Sequence, residues 1–118
     1  MKIDILGTDY EVAYKEYGEE PLFAKQSIDG YCDDVEKVLC IGRLHTFPGF
    51  EEEEEAYCKR IEKRTLRHEI VHAFLDESGL KESAMKTDVS WARNEEMVDW
   101  VALQLPKIAR ACEAAGAM

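Results

Sequence analysis

The fold is organised around one segment of the sequence, Arg67-His68-Glu69-Ile70-Val71-His72-Ala73-Phe74. Residues four apart on an α-helix lie on the same face, so His68 and His72 can present two imidazoles to one metal ion. Glu69, beside the first imidazole, can reach a water molecule at that ion. Nitrogen ligands on a rigid element, with a carboxylate base next to the water, suit metal-assisted hydrolysis.

A catalytic zinc ion usually takes three protein ligands, and a second segment offers the third. In Asn94-Glu95-Glu96-Met97-Val98-Asp99-Trp100, two neighbouring carboxylates compete for this role. Glu95 lies about a quarter turn from the centre of an apolar helical stripe, whereas Glu96 lies nearly opposite it. A ligand must border the core, so Glu95 is preferred. The alternative is that both are solvated carboxylates at a helix start. The stripe consists of Val98, Val101, Ala102 and Leu105.

Together the two segments resemble the His-Glu-x-x-His and Asn-Glu-x-x-x-Asp signatures of the gluzincins, the thermolysin-like branch of the zincin metallopeptidases. The resemblance implies a Zn²⁺ cofactor with His68, His72 and Glu95 as metal ligands. It implies that Asp99 accepts a hydrogen bond from His68 and fixes that ring, and that Glu69 is the general base. The expected activity is hydrolysis of peptide bonds in a peptide or protein substrate.

The end of the second segment is similar to bacterial and phage-associated zincin-like proteins, in which a ligand-bearing helix is followed by a Leu-Pro step. Glu95, Trp100, Ala102, Leu105 and Pro106 match that ending, but the Ala-Asn that follows the ligand in those proteins is missing. The resemblance covers residues 65–106 and leaves the subfamily open.

Two other functions compete with the peptidase. A non-enzymatic zincin-like domain would keep zinc as a structural staple and act through protein interaction. The intact Glu69 argues against it, because a structural site needs no base. An accidental motif in a plain α+β interaction domain is the third alternative. The candidates for stabilising an oxyanion are Tyr57, Arg67, Arg93 and His45, although a lone loop histidine such as His45 is more often a surface residue.

Length and composition limit the domain count, the kinds of partner and the cellular location that can be expected. The 118 residues suit one domain, 1–118, and the net charge of −10 argues against nucleic-acid and anionic-membrane partners. No apolar run approaches the length of a membrane span. The N-terminal stretch Met1-Lys2-Ile3-Asp4-Ile5-Leu6 carries an acidic residue early and is too short for a secretion signal, so a cytoplasmic location is expected. The four cysteines are expected to be reduced packing residues. Nothing in the sequence sets an oligomeric state.

The predicted fold class is α+β, a minimal zincin-like fold. A small N-terminal β-sheet should pack on a long helix that carries the histidines and on a second helix that carries Glu95. We expect a hairpin over 2–17, a loop at 22–24, a turn and short strand within 28–33, a strand at 38–42 and a loop at 46–50. The long helix should start in the acidic run 51–55 and stop at Gly79. A loop should follow over 81–90, and the second helix should start near Trp91. Pro106 should kink or end it, with a short helix over 107–115.

Overall fold

The computed structural model describes residues 1–83 and 90–118. It confirms the α+β class: a four-stranded mixed sheet packs on one long helix, and a second helix crosses that one. The loop predicted over 81–90 lies mostly outside the described residues, but its first residues belong to a short helix, α3 (Leu80–Ser83).

The predicted N-terminal hairpin is present. Strands β1 (Lys2–Ile5) and β2 (Thr8–Lys15) pair antiparallel across a two-residue turn. The turn residues Leu6 and Gly7 both have positive φ, 50° and 90°. A two-residue turn of this kind matches the right-handed twist of the strands it joins, so the local sequence sets the register of the hairpin.

The other two strands complete the predicted sheet. Strand β3 (Gly30–Asp33) pairs antiparallel with β4 (Val38–Gly42), and β4 pairs parallel with β2. The order is β1-β2-β4-β3, which leaves β3 at an edge. The crossover from β2 contains a helix, α1 (Pro21–Gln26), so the predicted loop at 22–24 is wrong. Glu20 caps this helix by accepting a hydrogen bond of 3.1 Å from the Leu22 amide.

The predicted long helix is α2 (Glu55–Glu77), and Gly79 follows its end with φ of 82°. The helix begins at the last glutamate of the acidic run, while residues 51–54 precede it as exposed turn. The burial of side chains along α2 does not follow their polarity. Phe74 is 42% exposed, whereas Glu62 and Glu69 are buried on the side that packs against the sheet region.

The sheet and α2 approach each other closely at β3. A Cβ atom on Gly30 would lie 2.6 Å from Thr65 Cγ2 of α2 and 3.1 Å from the Cys40 carbonyl oxygen, so only glycine fits there. Glu77 at the far end of α2 also holds the helix to the hairpin. Its carboxylate accepts hydrogen bonds from Tyr10 Oη at 2.8 Å and Thr8 Oγ1 at 3.0 Å. The histidine-bearing turns of α2 are therefore fixed beside the edge strand.

The second long helix is α4 (Glu95–Ala114), which a short 3₁₀ turn at Trp91–Arg93 precedes. Asn94 caps it, accepting a hydrogen bond of 2.8 Å from the Met97 amide. Pro106 lies inside the helix and does not end it, so the predicted separate helix over 107–115 is instead its continuation. The predicted stripe is buried at Val98 and Ala102, but Leu105 is 44% exposed.

Two expectations from composition can be compared with the described residues. All four cysteines are free thiols. Among the helices of the described ranges, none is long and apolar enough to cross a membrane.

Candidate metal centre

Helix α2 brings three ligand-type side chains together. The Nε2 atoms of His68 and His72 lie 3.0 Å apart, as the spacing of four residues predicts. With a carboxylate oxygen of Glu69, these atoms all lie within 4.8 Å of one another. The His68–Glu69–His72 group could therefore hold a metal ion.

Helix α4 adds a second carboxylate to this group. Glu95 Oε2 lies 3.1 Å from His68 Nε2, and Glu95 Oε1 lies 3.1 Å from His72 Nε2. Ligand atoms 2.0–2.1 Å from a tetrahedral zinc ion lie about 3.3 Å from one another. The two imidazoles and Glu95 thus have nearly the mutual spacing of ligands around one tetrahedral metal ion. Glu69 Oε1 is farther from His68 Nε2, at 4.0 Å.

Asp99 lies behind the first histidine. Its Oδ1 atom is 2.7 Å from His68 Nδ1. When Nδ1–H donates to this carboxylate, the lone pair of Nε2 points towards His72 and Glu95. Such a hydrogen bond would hold His68 in the tautomer that a metal ligand requires.

Glu96 lies on a different side of α4. It lines a cavity of about 500 Å³ together with Trp91, Met97 and Trp100, and it is not among the residues around the histidines. The structure thus separates the two rival carboxylates as the helical phase predicts. Which of them binds a metal ion stays a prediction.

The carboxyl group of Glu69 is buried within the site. Glu69 is 6% exposed. Burial, and next the nearby carboxylates of Glu95, Asp29 and Asp99, raise the pKa of Glu69 to about 8. Burial also lowers the pKa of His72. The metal-free protein therefore favours uncharged forms of both side chains.

Two adjoining cavities, of about 260 and 340 Å³, flank the centre and share Ile28, Gly30, His68 and Glu69 in their walls. Gly30 belongs to β3, so the cavities follow the edge strand.

The structure does not place the four oxyanion candidates in these walls. His45 lines another cavity with Glu53 and Lys59, and Arg67 donates to a backbone carbonyl of α4. Tyr57 and Arg93 are also not among the lining residues of the two cavities.

Two cations that sequence reasoning missed do line the cavities: Arg64 in one and Lys81 in the other. Arg64 precedes His68 by four residues, and that helical spacing was a usable signal. Lys81 had no comparable signal, because it lies beyond Gly79, which follows the end of α2, and its Nζ atom contacts Asp76 Oδ1 at 3.0 Å.

Comparison with known proteins adds no assignment. No protein-family model matches this chain, and neither the curated proteins nor the solved structures give a significant match.

Proposed function

We propose that this protein is a zinc-dependent metallopeptidase of the gluzincin-like type. His68, His72 and Glu95 hold the metal ion, and Glu69 is the general base. One observation carries the proposal: the carboxylate of Glu95 arrives from a separate helix and lies 3.1 Å from both imidazole Nε2 atoms. Two distant segments that carry complementary ligands meet at ligand spacing, which an accidental motif does not require.

The donor set favours zinc among the common metals. Two imidazole nitrogens and one carboxylate form a three-ligand set that leaves a fourth tetrahedral position open. Calcium and magnesium prefer oxygen ligands alone. A divalent cation also offsets the negative charges that Glu69, Glu95 and Asp99 bring into a small volume.

The metal ion in such a site supplies Lewis acidity, which polarises a carbonyl and acidifies a water molecule. Glu69 takes the proton of the attacking water, because cationic charge nearby offsets the burial and the carboxylate repulsion that otherwise keep it protonated. Glu69 then delivers this proton to the leaving amine. Asp99 keeps His68 oriented throughout.

The substrate is an extended peptide that lies along β3. This strand pairs with β4 on one side and lies at the sheet edge on the other, next to the two cavities. Backbone groups at a sheet edge can bind an extended chain by adding it as a further strand. The scissile bond then lies near Glu69, which faces both cavities.

Metal analysis tests the site. Purified wild type should contain one zinc ion per chain, and His72→Ala should contain much less. Glu96→Gln is the matched control, since that side chain lies on the other side of α4 and should leave the zinc content unchanged. Equal zinc in wild type and His72→Ala would contradict the ligand assignment.

Hydrolysis tests the reaction. Zinc-loaded protein should cleave members of a quenched peptide library, and a chelator or Glu69→Gln should abolish the cleavage. Equal cleavage by wild type and Glu69→Gln would assign the activity to a contaminant.

The burial of Glu69 supports a second candidate, a non-enzymatic zincin-like domain. There the metal ion would act as a staple that stabilises a small chain. This alternative predicts that chelation lowers the melting temperature while no peptide in the library is cleaved.

A further inference from the structure

Pro106 removes one backbone hydrogen bond from the interior of α4. A proline has no backbone N–H, so the carbonyl of the residue four positions earlier, Ala102, loses its helical partner. Ala102 is only 1% exposed, so water is a poor substitute. A buried carbonyl without a partner is costly, and another donor is needed there.

Arg67 of α2 is that donor. Its Nε atom donates a hydrogen bond of 2.7 Å to the carbonyl oxygen of Ala102. The donor is charged and the bond is short, which are properties of the stronger hydrogen bonds in proteins. Pro106 therefore leaves the Ala102 carbonyl of α4 free to accept a hydrogen bond from Arg67 of α2.

This bond is one of several polar contacts that join the two helices. Arg67 meets Ala102, His68 meets both Asp99 and Glu95, and His72 meets Glu95. The residue numbers rise along α2 as they fall along α4, so the helices are antiparallel. Of the contacts named here between described residues, the Arg67–Ala102 bond alone involves neither a proposed metal ligand nor the carboxylate beside His68.

The register between the helices matters because Glu95 and Asp99 have little packing of their own. Their side chains are 64% and 72% exposed. An axial slip of one residue moves a helix by about 1.5 Å. Metal–ligand distances tolerate only about 0.2 Å. A contact that prevents this axial displacement before the metal ion binds would therefore raise metal affinity.

We propose that Arg67 is a positioning residue: its bond to the carbonyl freed by Pro106 sets the register of α4 on α2 and so places Glu95 at the imidazoles. This inference rests on the proposed zinc site. It assigns to the Leu-Pro step of α4 a role in metal binding.

Four variants test the pair by zinc affinity, from competition with a chelating dye, and by the melting temperature of the zinc-free protein. Arg67→Met removes the donor and keeps the stem, Arg67→Lys keeps a cationic donor, and Pro106→Ala restores the helical N–H. The fourth variant combines Arg67→Met with Pro106→Ala. Lys63→Met is the control, because Lys63 is exposed one turn earlier on α2.

Arg67→Met should weaken zinc binding by roughly 10- to 100-fold, the range seen when a group that orients a ligand is lost. Arg67→Lys should recover part of this loss, and Lys63→Met should bind like wild type. Pro106→Ala should raise the melting temperature, because alanine suits a helix interior, yet should weaken zinc binding several-fold. The double variant should bind no more weakly than Arg67→Met alone. A purely structural role predicts instead that the more stable variant binds zinc at least as well.

The outcomes separate the inference from the proposed function. If wild type binds no zinc, the proposed function and the inference both fail. If wild type binds zinc and both Arg67→Met and Pro106→Ala bind equally well, only the inference is overturned. Fully additive losses in the double variant also overturn it. If Arg67→Met does not fold, Pro106→Ala alone tests the inference. A higher melting temperature together with weaker zinc binding supports the inference, and zinc binding equal to that of wild type overturns it.

Discussion

The substitution Glu69→Gln should stabilise the zinc-free protein at neutral pH. Glu69 is buried near Glu95, Asp29 and Asp99, and its pKa rises from 4.5 to about 8 on folding. Between these values the folded protein keeps a proton that the unfolded chain releases. Stability therefore falls as the pH rises from 4.5 towards 8, and this loss is complete above pH 8.

The size of the effect follows from the same pKa values. Each pH unit in this window costs roughly 1.4 kcal/mol. Neutral pH lies about 2.5 units above 4.5, so the ionisable side chain lowers the free energy of unfolding by about 3 kcal/mol there. Glutamine cannot ionise, so Glu69→Gln should be about 3 kcal/mol more stable than wild type at pH 7 and nearly equal to it at pH 4.

Urea unfolding of chelator-treated protein at the two pH values measures this difference. Glu62→Gln is the matched control: Glu62 is also buried on α2, at 8% exposure, but it accepts a hydrogen bond of 3.3 Å from the Leu44 amide. A glutamine oxygen can accept the same bond, so no comparable gain is expected there. The reasoning is refuted if Glu69→Gln is no more stable than wild type at pH 7, or if its gain is the same at both pH values.

The same variant should lose its hydrolytic activity when zinc is present. A general base contributes typically 10²–10⁴-fold to the rate, while the two imidazoles and Glu95 are left unchanged. Zinc content should therefore stay near that of wild type. A gain in stability together with a loss of activity would mark Glu69 as a residue retained for function at a cost in stability.

Three further outcomes are expected. Glu95→Gln should lose most zinc affinity while Glu96→Gln keeps it, as measured by dye competition; the opposite result would mean that the second helix is rotated. Asp99→Asn should weaken zinc binding by roughly 10- to 100-fold without abolishing it, and a direct Asp99–metal bond in a crystal structure would contradict the orienting role. Gly30→Ala should cost about 1–3 kcal/mol in thermal or urea unfolding, because the new Cβ meets Thr65 Cγ2 at 2.6 Å. Gly18→Ala, with no atom within 4 Å of the new Cβ, should cost less.

Features that depend on residues close in the chain could be predicted from the sequence. The spacing of His68 and His72 fixes their common face, because helix geometry is the same in every context. The turn chemistry at Gly7 determined the hairpin, and Gly79 ended the long helix where expected. The phase of Glu95 against Val98 was also local, and the structure does place its carboxylate by the histidines.

Features that depend on tertiary packing between distant segments could not be predicted from the sequence. Helix α1 forms over a segment that reads as loop, because Glu20 and Pro21 start a helix that Phe23 then anchors in the core. The sequence suggested that Pro106 would kink or end α4, but the helix runs on to Ala114. The carbonyl oxygen of Ala102, which Pro106 leaves without its helical donor, accepts a hydrogen bond from Arg67, thirty-five residues from Ala102 in the chain.

In Glu69, one property follows from the local sequence and another from tertiary packing. Its place beside His68 in the motif is a property of the sequence and makes it the proposed general base. Its burial arises from tertiary contacts, since β3 closes over one side of α2 and α4 brings Glu95 and Asp99 to the other. Desolvation and charge repulsion act through space, and only the assembled fold determines which groups share that space.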